Sequence, residues 1–266
     1  MTEAKTRKVV VTGAAGNIGG KVVDSLRARQ DLRLVLLDRQ SDPAQGVAAA
    51  DMGRLSPDWT VTLRGADTVI HLAANPRLNA GWPDLVHDNV DATLNVFHAA
   101  ATSGVRRVLF ASSLQVAVAA EAGSPGVRIA PADPYGASKA VGERIGRHFS
   151  EVHGLSVICL RLGMVRRDLN LPPVGHPSLG VQHRWLSNRD LCRAIHLALD
   201  AQPIGFAVVN ITSATEGSPW SLTDARSVLG YEPLDHYVPV PESAIARTRR
   251  QLRRRAGRTL ALLRLT

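Results

Sequence analysis

Short apolar runs alternate with helix-like segments through the first two-thirds of the chain. The runs predict strands at 8–12, 32–37, 47–50, 68–73, 107–111 and 156–162, of which 47–50 is the weakest. The segments between them predict helices at 15–29, 83–101 and 134–153, whereas residues 59–63 fit either a strand or a short helix. Near-continuous apolar strands separated by helices indicate a parallel sheet covered on both faces. Right-handed crossovers then give a doubly wound α/β fold with a small C-terminal portion.

The alternation ends after Gly163. Residues 166–184 are rich in proline, glycine and histidine and predict a loop; 188–199 predicts a helix capped by Ser187. A strand at 206–211 and a helix at 221–229, ended by Gly230, follow. We expect one domain over residues 1–240, with its substrate-binding elements mainly within 163–237, followed by a helical tail at 241–266.

Charge is concentrated in that tail. Of the net charge of +9, the segment 241–266 carries +7, from eight arginines and one glutamate, and the remaining 240 residues are nearly neutral. The tail could contact an acidic membrane surface, a partner or a nucleic acid, but a solvated or packing helix is favoured. The body has no nucleic-acid motif, so we expect no nucleic-acid partner.

Other classes of protein are excluded by composition. No apolar run has the length of a membrane span, and the first twelve residues lack the apolar core of a secretory signal. Two cysteines, of which Cys159 lies in an apolar run, favour a cytoplasmic protein without disulfides. The histidines form no zinc-type pair, so no metal is expected. A homo-oligomer is expected.

A glycine-rich turn lies between the first strand and the first helix. Gly13, Gly16 and Gly19 allow a tight turn and a close approach of backbone N–H groups to a pyrophosphate at the helix N-terminus. Asp38 ends the next strand, where a carboxylate accepts hydrogen bonds from ribose hydroxyls and repels the 2′-phosphate of NADP. Arg39 weakens that preference, because it could stack on adenine or pair with the phosphate. The sequence therefore predicts NAD, with NADP as the less favoured cofactor.

Tyr135 and Lys139 stand four residues apart on a predicted helix, on one face. A positive charge near a phenol lowers its pKa and favours the phenolate. The pair suits proton transfer, although the same spacing occurs by chance between surface residues. The glycine turn and Asp38 favour the catalytic interpretation.

These motifs together resemble the short-chain dehydrogenase/reductase superfamily, in its extended NAD-dependent epimerase/dehydratase branch, over about residues 7–237. The resemblance implies a Rossmann fold and an NAD-dependent oxidoreductase. It implies a catalytic triad of Ser113, Tyr135 and Lys139, with Ser112 in a supporting place. The implied cofactor-binding residues are Gly13, Ala15, Gly16, Asn17, Ile18, Asp38, Asp51, Met52, Leu72, Ala73, Ala74, Asn89, Tyr135 and Lys139.

Within that branch the chain is most similar to the uronate dehydrogenase type, which is equally short. Two polar substrate contacts of that type are replaced by Leu114 and Met164. Arg184 is the foremost candidate cation for a carboxylate, with Arg166 and Arg167 as others, and each could equally be a solvated loop charge. Asn75 could reach the substrate or cap the turn before Pro76. The expected substrate residues are thus Asn75, Ser113, Leu114, Met164 and Arg184.

The leading hypothesis is an NAD-dependent dehydrogenase of a small, polar, sugar-like molecule such as a uronate or aldose. Leu114 and Met164 leave open a reductase or tailoring enzyme for a less polar substrate. A nucleotide-sugar epimerase or dehydratase with bound NAD is disfavoured by the short chain. A dinucleotide-sensing module ranks last, because it would be expected to have lost the triad.

Overall fold

A seven-stranded parallel sheet forms the centre of the molecule in the computed structural model, which describes residues 6–118, 128–167 and 170–240. Its strands are β1 (Arg7–Thr12), β2 (Leu32–Asp38), β3 (Val47–Ala49), β4 (Thr68–His71), β5 (Arg107–Ser113), β6 (Ser156–Leu162) and β7 (Phe206–Ile211). They lie in the order β3-β2-β1-β4-β5-β6-β7, and every neighbouring pair is parallel. The predicted doubly wound α/β fold is confirmed. All carboxyl ends therefore lie at one edge of the sheet, where ligands bind in such folds.

Helices cover both faces of this sheet. They are α1 (Asn17–Leu26), α2 (Pro57–Thr60), α3 (Trp82–Leu85, Val86–Asp91 and Ala92–Thr102), α4 (Pro134–His153), α5 (Leu179–Gln182), α6 (Asn188–Asp200) and α7 (Thr223–Leu229). One core cluster joins α1, α6 and α7 to the sheet through side chains such as Val22, Leu191 and Ala225. The cluster on the other face joins α3 and α4 through Phe97 and Phe149.

The elements follow the hydrophobic pattern closely; one open choice is resolved, and two helices differ from the expectation. Residues 59–63 continue a helical turn into a 3-10 turn at Val61–Leu63, with Trp59 buried beneath it. The helix expected at 15–29 begins only at Asn17, because the preceding residues form the glycine turn. The long helix α3 widens into a π-helical turn at Val86–Asp91, a distortion often found at functional sites.

The predicted loop after Gly163 is mostly irregular but is fixed to the rest of the fold. Met164 and Trp185 form an isolated parallel bridge, and the short α5 lies between them. The buried amide of Gln182 donates to the carbonyl oxygens of His176 and Val240 and accepts from the Tyr237 hydroxyl. The loop is thus held at both ends.

Two further predictions concern membrane spans and the C-terminal tail. Among the described residues, no helix is both long and apolar enough to cross a membrane. The arginine-rich tail at 241–266, for which a helix was expected, lies outside the described residues.

Candidate active site

The glycine turn after β1 forms a cradle made of backbone. Gly13 has φ of 72°, and a Cβ on it would lie 2.5 Å from the backbone nitrogen of Ala73. The carbonyl oxygen of Gly13 accepts a hydrogen bond from the Gly16 nitrogen, and α1 begins at Asn17 without a side-chain cap. The free N–H groups and the dipole at this end of the helix favour the binding of an anion. These residues fit a dinucleotide pyrophosphate.

Asp38 lies at one end of a cleft, in a cavity of about 270 Å³. Its Oδ2 accepts from the Ala15 nitrogen at 3.0 Å and its Oδ1 from the Arg39 nitrogen at 2.7 Å. The carboxylate is therefore fixed by backbone at the end of β2. Of the residues predicted to bind the cofactor, this cavity is lined by Gly13, Gly16, Asn17, Asp38, Asp51, Met52, Leu72, Ala73 and Ala74.

Ser113, Tyr135 and Lys139 line a second cavity, of about 440 Å³, which shares Gly13, Gly16 and other residues with the first. Ser113 ends β5, and its Oγ accepts from the nitrogen of Gln115. Tyr135 and Lys139 lie in the first turns of α4, which the Asp133 side chain caps by accepting from the Gly136 nitrogen at 2.7 Å. The structure therefore brings the three predicted catalytic residues together at the carboxyl edge of the sheet.

The absence of a side chain at Gly136 allows this approach. A Cβ there would overlap the carbonyl oxygen of Gln115, so α4 could not lie as close to the segment that follows Ser113. The sequence marks this requirement only as a glycine directly after the tyrosine. Ile18 also lines the second cavity, as expected.

The electrostatics of Tyr135 differ from the prediction that Lys139 lowers its pKa. Burial raises the pKa of Tyr135 to about 12, a hydrogen bond with Ser113 opposes the rise and the charge of Asp133 adds to it. The Nζ of Lys139 lies 5.0 Å from the Phe110 ring centroid and 5.9 Å from that of Tyr135. Burial also lowers the pKa of Lys139 to about 8, because desolvation disfavours an ammonium as it disfavours a phenolate.

Two charged groups that the sequence interpretation did not single out, the buried Glu143 and the largely buried Arg161, lie next to the predicted catalytic residues. The Glu143 carboxylate accepts from the Ser112 hydroxyl at 2.6 Å and forms a two-point ion pair with Arg161, at 2.8 Å for each contact. Ser112 and Ser113 both line the cavity, and Ser112 is in addition hydrogen-bonded to Glu143 of α4. Glu143 and Arg161 thus join β5 and β6 to α4, and the only sequence signal for them was an arginine in a mostly apolar strand.

His71 is a buried residue that packs against Phe110, the ring that Lys139 faces. Its ring stacks on Phe110 at 5.8 Å, its Nδ1 lies 2.7 Å from the Thr12 hydroxyl, and its Nε2 lies 3.3 Å from the Thr93 hydroxyl. Burial lowers the pKa of His71 to about 3, so the ring is neutral at physiological pH. It joins β1, β4 and α3 beneath the cleft without adding a charge.

Three predicted site residues lie off the cavity walls. The side chain of Asn89 is buried behind the wall, where it accepts from the Asn75 nitrogen at 2.7 Å and donates to the Ser138 hydroxyl at 2.9 Å. The Asn75 side chain accepts from the Arg77 nitrogen, which is the turn-capping alternative. Ala15 contributes through its backbone bond to Asp38.

Arg184 lies across the second cavity, beside Met164, whose backbone nitrogen donates to the Arg184 carbonyl oxygen. Its Nη1 donates to the Gln115 side chain at 2.6 Å, and its guanidinium carbon lies 5.4 Å from the Trp220 ring centroid. Burial lowers the pKa of Arg184. Its Nε is buried and has no hydrogen-bond partner among the described residues.

The walls between Arg184 and the triad are largely apolar. Leu114 and Met164 line this cavity as expected, together with side chains that the sequence interpretation did not assign: Pro76, Leu78, Val165 and Val181. Of the other candidate arginines, Arg167 lines both cavities, whereas Arg166 donates to the Pro172 carbonyl oxygen and lines neither. Besides its apolar side chains, the cavity thus offers the hydrogen-bonded pair Arg184 and Gln115, the guanidinium of Arg167 and the triad.

Comparisons with known proteins agree with this geometry. Residues 9–166 match the model of the NAD dependent epimerase/dehydratase family. An L-arabinose 1-dehydrogenase (NAD(P)(+)) of Haloferax volcanii is 31% identical, over 88% of this chain and 99% of the relative. An NAD-dependent glucose-6-phosphate dehydrogenase of the same organism is 29% identical, over 86% of this chain and 93% of the relative. A mutant uronate dehydrogenase from Agrobacterium tumefaciens, solved in complex with NAD, is 25% identical with a TM-score of 0.73, over 86% of this chain and 85% of the other.

The chain belongs to the NAD dependent epimerase/dehydratase family. It is an NAD(P)-dependent oxidoreductase of the short-chain dehydrogenase/reductase type, and the predicted family, enzyme class and cofactor are confirmed.

Proposed function

We propose that this enzyme oxidises a hydroxyl group of a small sugar or sugar acid, with Tyr135 as the general base and NAD as the hydride acceptor. The observation that carries the proposal is the placement of Ser113, Tyr135 and Lys139 in one cavity that continues into the dinucleotide cleft. The sugar class is supported by the named relatives, which act on arabinose, glucose 6-phosphate or uronates.

Each residue of the triad is assigned a separate role in the proposed reaction. NAD⁺, when bound, supplies the nicotinamide C4 that takes the hydride. Tyr135 takes the proton of the substrate hydroxyl as the carbon–oxygen bond becomes a carbonyl, so that one hydride and one proton leave together. Ser113 donates a hydrogen bond to the reacting oxygen. Lys139 holds the nicotinamide ribose hydroxyls and keeps a positive charge beside the tyrosine.

Cofactor binding is assigned to the walls of the two cavities. Gly13, Gly16 and Asn17 hold the pyrophosphate, Asp38 holds the adenosine ribose, and Asp51 with Met52 borders the adenine. The carboxylate of Asp38 favours NAD over NADP. The cofactor and substrate sites are assigned to one domain at residues 1–240, with the substrate-binding elements mainly within 163–237.

Arg184 is assigned to an acidic or strongly polar group of the substrate. A half-buried guanidinium that lines the cavity and is held in place by Gln115 is suited to a carboxylate or phosphate oxygen. This assignment favours sugar acids and sugar phosphates over neutral aldoses.

The apolar walls favour a second candidate, a dehydrogenase or reductase of a less polar natural product. Leu114, Met164, Leu78 and Val181 offer no hydrogen bonds to a fully hydroxylated ring. Each hydroxyl that loses a partner on binding costs about 1–3 kcal/mol. A substrate with few hydroxyls would avoid that cost.

The two candidates separate in a spectrophotometric screen of NADH formation. Uronates, aldoses, sugar phosphates, deoxy sugars and apolar secondary alcohols are tested with the wild type, Arg184→Gln and Arg166→Gln. If Arg184 binds an anionic group, its variant raises KM for the acidic substrate about 10- to 100-fold and leaves neutral substrates unchanged. Arg166→Gln is the matched control, because it removes the same charge from the same loop outside the cavity.

Other outcomes would redirect the proposal. Oxidation of apolar alcohols without oxidation of any sugar would favour the second candidate. Conversion of a sugar to its epimer without net NADH would indicate an epimerase, a reaction of the same family. A cytoplasmic location and a homo-oligomeric assembly stay predictions from the sequence.

A further inference from the structure

Arg39 is the residue whose role the sequence leaves open, because it follows Asp38 at the point that distinguishes NAD from NADP. An arginine there can pair with the 2′-phosphate of NADP and weaken the preference that the aspartate sets. Its side chain is 67% exposed, so only its contacts decide where the guanidinium is held. The structure gives it a specific partner.

That partner is Asp88. Its Oδ1 accepts from the Arg39 Nη1 at 2.9 Å, and the carboxylate is itself only 16% exposed. Asp88 belongs to the π-helical turn Val86–Asp91 of α3, and the next residue, Asn89, is anchored to Asn75 and Ser138. The position of the Asp88 carboxylate is therefore fixed by the helix, and the exposed Arg39 side chain extends to reach it.

Asp38, Arg39 and Asp88 line the same cavity at the adenosine end of the cleft. The guanidinium thus stands beside two of the carboxylates at this cavity wall, Asp38, which is held by backbone N–H groups, and Asp88, which is hydrogen-bonded to Arg39. A 2′-phosphate entering this cavity meets the charge of Asp38 and must also compete with Asp88 for the guanidinium of Arg39. A ribose with a free 2′-hydroxyl meets neither obstacle.

We propose that Asp88 is a determinant of cofactor selection: it occupies Arg39 and so withholds from NADP the guanidinium that follows Asp38 in the chain. Asp88 acts through Arg39 and is a positioning residue. The inference rests on the dinucleotide site described above and on Asp38 as the ribose partner, and it is independent of the substrate.

The test is the affinity of the full-length protein for NADH and NADPH, measured by nicotinamide fluorescence without substrate. In Asp88→Asn the competing charge is removed and Arg39 is released, so the Kd for NADPH should fall about threefold to tenfold, the range expected for loss of one exposed ion pair and one repulsive charge. The Kd for NADH should change less than about twofold, because no 2′-phosphate is present to sense the change.

Two variants make the result specific. Asp91→Asn removes the same charge from the same helical turn outside the cavity and should leave the ratio of the two Kd values unchanged. In Asp88→Asn with Arg39→Gln the gain for NADPH should disappear. The proposal fails if Asp88→Asn leaves the ratio at its wild-type value, or if the gain survives without Arg39.

A probe that lacks nicotinamide separates this inference from the proposed reaction. Binding of 2′,5′-ADP against 5′-AMP, measured by calorimetry, should show the same change in ratio in Asp88→Asn. If that ratio shifts while no hydroxylated substrate is oxidised, the proposed function fails and the role of Asp88 stands. A shift in NADPH affinity without a shift for 2′,5′-ADP would overturn the proposal, because Asp88 would then act outside the adenosine site.

Discussion

The glycine turn after β1 and the segment 163–184 line the same cleft but differ in what forms their surfaces. At the turn, the surface is backbone: Gly13 and Gly16 have no side chain, and Asp38 is held by two backbone N–H groups. Along 163–184 the surface is side chains, chiefly Met164, Val181 and Arg184, which a short bridge and one buried amide hold in place.

This difference explains why one side of the cleft can be assigned from a sequence and the other cannot. Backbone that must approach a pyrophosphate requires glycine, and the requirement is the same for every dinucleotide. A substrate wall has no such general requirement, because many side chains form a wall and each selects a different molecule. The cofactor is therefore indicated by motif, while the substrate depends on particular residues such as Leu114.

Tyr135→Phe should give the largest loss of activity, and it should distinguish catalysis from cofactor binding. Loss of the hydroxyl removes the proton acceptor, so kcat should fall about 10²- to 10⁴-fold while the Kd for NADH stays near the wild-type value. Turnover and NADH fluorescence are the two measurements. Full turnover in the variant would contradict the general-base role.

The pH dependence gives a second check on the same residue. Because burial raises the pKa of Tyr135 to about 12, its phenolate becomes more populated as the pH rises. The kcat/KM for oxidation by the wild type should therefore increase with pH above neutrality. The residual activity of Tyr135→Phe should not follow that increase.

Gly13→Ala tests the backbone side. The new Cβ would lie 2.5 Å from the Ala73 nitrogen, and φ of 72° is strained for alanine. The free energy of unfolding should fall by on the order of 3 kcal/mol, and NADH affinity should fall more than about tenfold. Denaturant unfolding and NADH fluorescence measure the two effects.

Gly104→Ala is the control for backbone strain alone. Gly104 has φ of 69°, but a Cβ on it meets nothing within 4 Å. It should lose about 1–2 kcal/mol of stability and keep its affinity for NADH. Equal losses of affinity in both variants would show that the close approach at Gly13 is unimportant for the cofactor.

Features set by local sequence could be predicted, whereas contacts between distant parts of the chain could not. The bounds of α4, β6 and β7 are those of the hydrophobic pattern. For α4 and β6 the reason is plain, because α4 lies between the caps Asp133 and Gly154 and β6 is buried at all but one position. Residues 59–63 were ambiguous, since a turn and a half of helix has too few positions to show a period. The Arg39–Asp88 and Gln115–Arg184 pairs join residues 49 and 69 positions apart, and no local pattern reports such contacts.

The pKa of Tyr135 shows a different kind of limit. The spacing between Tyr135 and Lys139 carries no information about desolvation. Desolvation is the largest cause of the pKa shift of each group in the folded protein. A prediction from spacing alone gives the opposite direction for the tyrosine pKa. The three-dimensional environment decides the sign.

Lys139 stands where the two sides meet, and its burial should carry a measurable cost in stability. Since its pKa falls from 10.5 to about 8, the unfolded chain binds a proton more tightly than the folded protein does. The penalty is fully present below pH 8 and is relieved as the pH rises from about 8 towards 10.5. Lys139→Met should therefore raise the free energy of unfolding of the cofactor-free protein at neutral pH by on the order of 2 kcal/mol, while abolishing turnover. Denaturant unfolding at a series of pH values measures the gain, which should shrink over that window.

The control is Arg144→Met, which removes an exposed charge from the same helix and should show no such pH-dependent gain. A loss of stability in Lys139→Met at every pH would mean that the ammonium stabilises the fold through its contacts with Phe110 and Tyr135.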